Sequence, residues 1–420
     1  MRHSTETQWS PPTDKPAGKL AMFDVLKHRD YRLYWFGQFT SVIGQNMQFV
    51  AQSWLVLQLT DSPAMLGLAG LANAIPTIGF TMVGGVAADR MDRKSLLRTT
   101  QACQGLVYGL LGLLAVLQLV NIWWVFGFAF VSGTLRAFDQ PSRAALIPHL
   151  VPRAELSQAV ALGGSIWQFS RLIGPSLAGI IIATTNVGLA LMAASLGFFS
   201  FVVLLTLMRG GSAPPEPSKH AGMLGEMLGG LNFIRKNELF YTLIGLTFFN
   251  SVFGMSYTVM LPYFARDILD VGSQGYGFLQ TASAVGALAG TLIVATTADY
   301  GKRGWQILVG AAAFGSLIVV FAGSTMFQLS LVVILLMGVA NQTYMTTIST
   351  VLQTQLPNDL RGRVMGIHGL TFSLQPLGGT LAGAIAEHAG VPFAVGAGGA
   401  CVALVAVAIA ICLPRVRRIV

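Results

Sequence analysis

The chain has 420 residues, of which 53% are hydrophobic and only 10% charged. Soluble domains carry about 25% charged residues, so this composition excludes an ordinary soluble globular protein and points to a lipid-facing exterior. The net charge of +9 does not indicate a nucleic-acid partner, because the basic residues sit in short gaps between apolar runs, where a membrane protein encodes its orientation.

Residues 1–32 are polar and rich in Pro, Lys and Thr, with no apolar segment of signal-peptide type. They are expected to form a cytoplasmic N-terminal segment, and the first transmembrane helix to act as its own insertion signal. Apolar stretches of spanning length then recur, roughly at 33–59, 64–88, 96–118, 122–147, 157–183 and 187–208. In the first of these, Gln38, Ser41, Gln45, Gln48 and Gln52 fall at steps of three and four on one face. The fourth stretch holds Arg136 and Asp139, with Arg143 near its inner end, and the fifth holds Arg171. Each such charge costs about 2.5–3.5 kcal/mol at a helix centre on insertion scales, which makes it a functional candidate. Arg136 and Asp139 are three residues apart and are expected to pair. Helices four and five locked together by Arg136, Asp139 and Arg171 is the structural alternative.

Residues 209–237 form the longest internal polar segment, expected to be a cytoplasmic linker. It opens on Gly210-Gly211-Ser212-Ala213-Pro214-Pro215 and continues with Leu224, Met227, Leu228, Leu231 and Ile234 at helical spacing, a pattern for a short helix lying on the membrane face. A second set of apolar stretches follows, roughly at 238–264, 274–298, 305–323, 327–353, 363–386 and 392–413. Here Asn250, Gly254, Tyr257 and Thr258 mark the seventh stretch. Gln342, Thr346, Ser349 and Gln353 mark the tenth, and His368, Thr371 and Gln375 the eleventh. Uncharged polar stripes cannot face lipid cheaply, so they line a water-filled cavity or bond across helices. His368 is either a packed histidine or a proton carrier. Aromatic and Met residues beside the stripes, Met47, Trp54, Trp167, Phe249, Tyr257 and Tyr344, suit a bulky amphipathic compound, although lipid would suit them too. Residues 414–420 are a basic tail. Cys103, Cys401 and Cys412 lie inside apolar runs and show no ligand spacing, so they read as small packing residues.

The two halves look like repeats. Phe169-Ser170 before Leu177-Ala178-Gly179 matches Phe372-Ser373 before Leu381-Ala382-Gly383, and Ala88-Asp89 before a basic loop matches Ala298-Asp299 before Lys302-Arg303. The expected architecture is all-α and integral to the membrane, with about 12 transmembrane helices in two pseudo-symmetric six-helix bundles, residues 33–208 and 238–413. The gaps holding Arg90, Arg93, Lys94, Arg98, Arg153, Lys302, Arg303, Arg361 and Arg363, and the tail with Arg415, Arg417 and Arg418, alternate with gaps holding Arg266 and little else. Both termini are therefore expected in the cytoplasm, with Asp61, Asp267 and Asp270 outside.

The segment Gly85-Val86-Ala87-Ala88-Asp89-Arg90-Met91-Asp92-Arg93-Lys94 resembles the signature loop of the major facilitator superfamily, with Asp92 where the family often has Gly. Trp54 to Pro63, Arg136-Ala137-Phe138-Asp139-Gln140-Pro141-Ser142-Arg143 and Arg361-Gly362-Arg363-Val364-Met365-Gly366 resemble the branch of enterobactin exporters and macrolide-efflux proteins. Ser170-x-x-x-Gly174-Pro175-x-x-Ala178-Gly179 is similar to the exporter motif of helix five, with Ser170 and Ala178 in place of two glycines. The resemblance runs from about Phe23 to the C-terminus and implies the major facilitator fold in the cytoplasmic membrane. It also implies proton-coupled efflux by alternating access, and the residues beside the stripes suit a small amphipathic cargo, a drug, siderophore or metabolite.

On that reading Asp139, Arg136, Arg171 and His368 are candidates for proton coupling. Gln38, Gln45, Gln48, Gln52, Asn250, Tyr257, Gln342, Thr346, Ser349 and Gln375 are expected to line the substrate cavity. Gly85, Asp89, Arg90, Arg93, Lys94, Asp299, Arg303, Arg361 and Arg363 are expected to form a cytoplasmic gate, whose ion pairs act as a latch in one state. Gly174, Pro175 and Gly179 let helix five approach its neighbours and bend. The few fixed charges inside the membrane imply an apolar cavity and argue against small polyanions. Uptake symport on the same fold and a non-transporting receptor or assembly partner are the competing functions. An enzyme is not expected: no nucleotide loop, metal cluster or nucleophile–base pair is visible, so no cofactor or metal is expected. The partners are a small-molecule substrate, protons with Na⁺ as the open alternative, and lipid, around a monomer.

Overall fold

The protein is described from a computed structural model over residues 21–210, 223–297 and 302–417. The linker start 211–222, the C-terminal 418–420 and the expected gate residue Asp299 lie outside the described residues. Six helices come first: α1 (Arg29–Thr60), α2 (Pro63–Arg90), α3 (Arg93–Val116), α4 (Ile122–Leu146), α5 (Leu156–Thr184) and α6 (Val187–Leu207). Helix α7 (Met223–Lys236) follows the linker. The span Glu238–Ile268 contains α8 (Glu238–Phe249) and α9 (Ser256–Tyr263), separated by a π turn at Asn250–Gly254 and closed by another at Phe264–Ile268. Then come α10 (Gly272–Thr297), α11 (Arg303–Ala322), α12 (Phe327–Gln355), α13 (Asn358–Phe372), α14 (Gln375–Ala389), α15 (Val391–Cys412) and α16 (Pro414–Arg417).

Local chemistry sets these boundaries. Ser62 caps α2, accepting from the Met65 amide at 3.3 Å, with Pro63 supplying a helical φ at the first position. Asn121 and Asn186 cap α4 and α6 in the same way, at 3.1 and 2.9 Å. Asp92 caps α3, accepting from the Ser95 amide at 2.9 Å with φ −60°. The family's glycine is therefore not needed here: no left-handed residue is required, and the carboxylate satisfies an open helix donor instead. The eleventh stretch is interrupted where Ser373 and Leu374 end α13 and Pro376, which has no N–H, starts α14.

Among the described residues nine helices are long and apolar enough to cross a membrane on their own. The expected twelve are completed by three less apolar stretches, each carrying an identifiable polar burden. Helix α1 has its glutamines, α4 has Arg136, Asp139 and Arg143, and α13 with α14 is split by the turn. The N-terminal boundary moves: α1 begins at Arg29, and Val25 and Tyr31, placed by sequence in the polar segment, are buried against the first bundle. Tyr31 donates to the Ala159 carbonyl at 2.7 Å.

The first six helices pack on one another and the later ones likewise, and α2 meets α14 and α5 meets α10 across the middle. At the end of the molecule that carries Asp61, these crossings are close. A Cβ on Gly67 would stand 2.5 Å from Thr380 Cα, one on Gly179 2.5 Å from the Ser273 carbonyl, and one on Gly277 2.5 Å from the Pro175 carbonyl. Only glycine lets the backbones approach so closely. Arg266 pairs with Asp61 at 2.7 Å and donates to the Leu57 carbonyl at 3.1 Å, and Ser62 bonds Glu387, so polar contacts also join the halves here. At the opposite, basic end α13, which precedes α14 in the same stretch, does not pack on the first six helices as α14 does. Gly79 and Gly85 of α2, Gly163 and Gly164 of α5, and Gly362, Gly366 and Gly369 of α13 face open space.

Candidate functional site

A chamber of about 590 Å³ lies between the halves. Helix α1 contributes Gln45, Asn46 and Phe49, α4 Arg136, and α5 Trp167, Arg171 and Pro175. From the later helices come Tyr257 and Thr258 of α9, Gln280 and Ser283 of α10, Asn341 and Gln342 of α12, and Gln375 at the start of α14. A side chamber of about 250 Å³ shares Phe49, Arg136 and Gln375 and adds Gln48, Gln52 and Asn73. Several of these polar groups hold one another in place. Gln375 Nε2 donates to Thr258 Oγ1 at 3.0 Å, Tyr257 and Ser283 bond at 3.3 Å, and Gln48 Nε2 donates to Gln52 Oε1 at 2.5 Å. Tyr257 and Thr258 of the wall follow directly on the π turn at Asn250–Gly254, an irregularity common at functional sites.

Of the residues expected to line a cavity, Gln45, Gln48, Gln52, Tyr257, Gln342 and Gln375 meet at these two chambers. Gln38 and Asn250 do not: each is buried within its own bundle, 5% and 2% exposed. Thr346 and Ser349 lie nearer the basic end of α12, bonded to Gln342 and Gln353. Stripes of this kind also serve as interhelical or intrahelical glue, and sequence spacing does not separate the two uses. Of the aromatic and Met candidates, Trp167 and Tyr257 line the chamber, whereas Met47, Trp54 and Tyr344 are core. Asn46, Asn73, Gln280, Ser283 and Asn341 went unread by sequence. The spacing of Gln280 and Ser283 on α10 is a short polar stripe of the kind that marked the other helices.

The expected Arg136–Asp139 pair is not formed. Asp139 accepts from Arg143 Nε at 2.6 Å, Gln101 Nε2 at 2.5 Å and Thr100 Oγ1 at 3.2 Å. Arg143 also donates to Ser41 Oγ at 3.1 Å and lies over the Phe201 ring, 5.1 Å from its centre. The i,i+4 step places Arg143 beside Asp139 on the face toward α1 and α3, whereas Arg136 turns into the chamber. The network therefore ties α1, α3 and α4, not α4 to α5. Arg171 is not part of it and lines the chamber. The expectation of an apolar cavity is corrected by the same facts, since two guanidinium groups stand in its wall. His368 is buried beside Phe372, with Nε2 unbonded, and lines neither chamber.

At the basic end, Arg93 bonds the Ala145 carbonyl at 3.5 Å and His149, and Lys94 donates to the Met208 carbonyl at 2.6 Å. Both hold their own bundle. Gly85 and Asp89 lie in the last two turns of α2, Arg90 closes that helix and Arg303 opens α11. Arg363 packs on Gly229 and Gly230 of α7, and Arg361 is exposed. In the helix-five motif, Gly174 lies against Asn46 and Ile43 of α1, while Gly179 lies against α10 and accepts from Ser273 Oγ at 3.2 Å.

The family model described as transmembrane secretion effector matches residues 20–419. The chain is similar to the multidrug efflux pump Tap of Mycolicibacterium fortuitum, 27% identical over 84% of this chain and 88% of that protein. It is also similar to the enterobactin exporter EntS of Shigella boydii, 27% identical over 83% of each. In fold it matches an inward-facing, occupied bacterial homologue of the lysosomal transporter Spinster, with a TM-score of 0.70 at 14% identity, over 90% of this chain and 96% of the other.

Proposed function

This chain belongs to the transmembrane secretion effector family of major facilitator transporters, and we propose that it exports a small amphipathic molecule from the cytoplasm in exchange for protons. It is a multi-pass membrane transporter and not an enzyme. The observation that carries the reading is a polar chamber walled by both halves, with glycine-packed crossings between them at the Asp61 end. That geometry suits alternating access, in which the bundles 33–208 and 238–413 rock about a fixed site. The charge asymmetry supports placing the basic end and both termini in the cytoplasm of a bacterial inner membrane, and on that reading the chamber is loaded from inside. Asp139, the only buried carboxylate among the described residues, is the proposed proton carrier, with Arg143 as its partner and Arg136 as its neighbour on the chamber side. The relatives named above support export over uptake, because their names describe a pump and an exporter.

Export is tested in inside-out vesicles holding an acid interior, with a panel of amphipathic fluorescent compounds. We expect at least one compound to accumulate several-fold above vesicles lacking the chain, and a protonophore to remove the difference. Gradient-driven accumulation in right-side-out vesicles instead would establish symport.

A further inference from the structure

Arg136 and Arg171 line one chamber, and among the residues lining it and its side chamber there is no Asp, Glu, Lys or His. The carboxylate nearest Arg136 along the helix, Asp139, is engaged by Arg143, Gln101 and Thr100. Arg136 Nε has no hydrogen-bond partner, and neither arginine is in an ion pair among the described residues. Two like charges sharing a cavity inside the membrane repel each other and are expensive to place there. No group in the walls compensates them. Arginine's planar fork matches the two oxygens of a carboxylate, or the oxygens of a sulfonate or phosphate, and binds them bidentately. Around the pair, Gln280, Asn341 and Gln342 offer amides, and Phe49, Trp167 and Tyr257 offer ring faces. A cation entering here would meet repulsion and no counter-charge, which is discrimination by exclusion.

We propose that the chamber selects an amphipathic organic anion, its acidic group held between Arg136 and Arg171 and its apolar or aromatic body laid against Phe49 and Trp167. This rests on the transporter reading but names the substrate class. Its test reads binding alone, so it can fail while export stands, or hold while coupling fails.

Equilibrium dialysis of the purified full chain in nanodiscs of zwitterionic lipid compares two probes differing by one charged group, 1-anilinonaphthalene-8-sulfonate and uncharged N-phenyl-1-naphthylamine. Empty nanodiscs give the background. The sulfonate should bind at least tenfold more tightly after that correction, and the advantage should shrink at high salt. Arg136→Gln and Arg171→Gln should each remove most of it and leave the uncharged probe unchanged. Arg171→Lys should retain part, because a point charge replaces the fork. Equal binding of the two probes by the unaltered chain would overturn the proposal, even if a glutamine variant fails to fold. So would glutamine variants that weaken both probes alike, since the arginines would then only be shaping the chamber.

Discussion

Asp139→Asn should lower the stability of the folded chain, and the double variant Asp139→Asn/Arg143→Gln should restore it yet fail to export against a gradient. The reason lies in what each leaves behind. Asparagine turns an NH2 toward Arg143 Nε or loses its contacts to Gln101 and Thr100, so a buried guanidinium remains without its counter-charge. Breaking a buried pair from one side typically costs about 3–5 kcal/mol. Replacing Arg143 as well removes the orphan charge, and the new glutamine can accept from the asparagine. Stability returns, while the site no longer binds or releases a proton. Binding of the uncharged probe should persist in the double variant. Wild-type rates of gradient-driven export by that variant would assign the network to structure alone, as a lock on α1, α3 and α4.

Gly179→Leu should cut export more than tenfold without loss of folded protein. The new side chain begins 2.5 Å from the Ser273 carbonyl, at a close approach of α5 to α10. Overpacking of this kind costs about 1–3 kcal/mol, borne only by the state in which these helices touch. The population should therefore move toward the state open at this end, by a factor of about 5–150. The Arg266–Asp61 pair crosses the same seam, but Asp61 is 78% exposed. An exposed pair contributes at most about 1 kcal/mol, so Asp61→Asn should have a far smaller effect. An equal loss of export from both substitutions, or none from Gly179→Leu, would contradict a glycine-sealed seam.

Most of the fold was legible because spanning helices announce themselves by length and apolarity. The boundaries of α2, α4 and α6 fall where Ser62, Asn121 and Asn186 stand as caps. The break between α13 and α14 was less visible, since Pro376 is compatible with a kinked continuous helix. The chamber was half legible. Gln45, Gln48 and Gln52 reach it because α1 faces the other half, while Gln38, about two turns toward the basic end, packs inside its own bundle. The charge pairing was misread because residues three and four apart are both neighbours on a helix. Gln101 and Thr100 on α3, which favour the Arg143 side, come together with Asp139 only in three dimensions. The positive character of the chamber was missed through that error: once Asp139 is assigned to Arg143, Arg136 is left to face the cavity with Arg171.

The claim that one chamber opens alternately to the two faces is tested most directly at Ser283, in a chain whose Cys103, Cys401 and Cys412 have been replaced by serine. Ser283→Cys should react with a membrane-impermeant maleimide in inside-out vesicles at rest and be protected in right-side-out vesicles. Placing Gly179→Leu in the same chain should reverse that pattern. Labelling of Ser283→Cys from the outside at rest, or an unchanged pattern in the Gly179→Leu chain, would contradict the account.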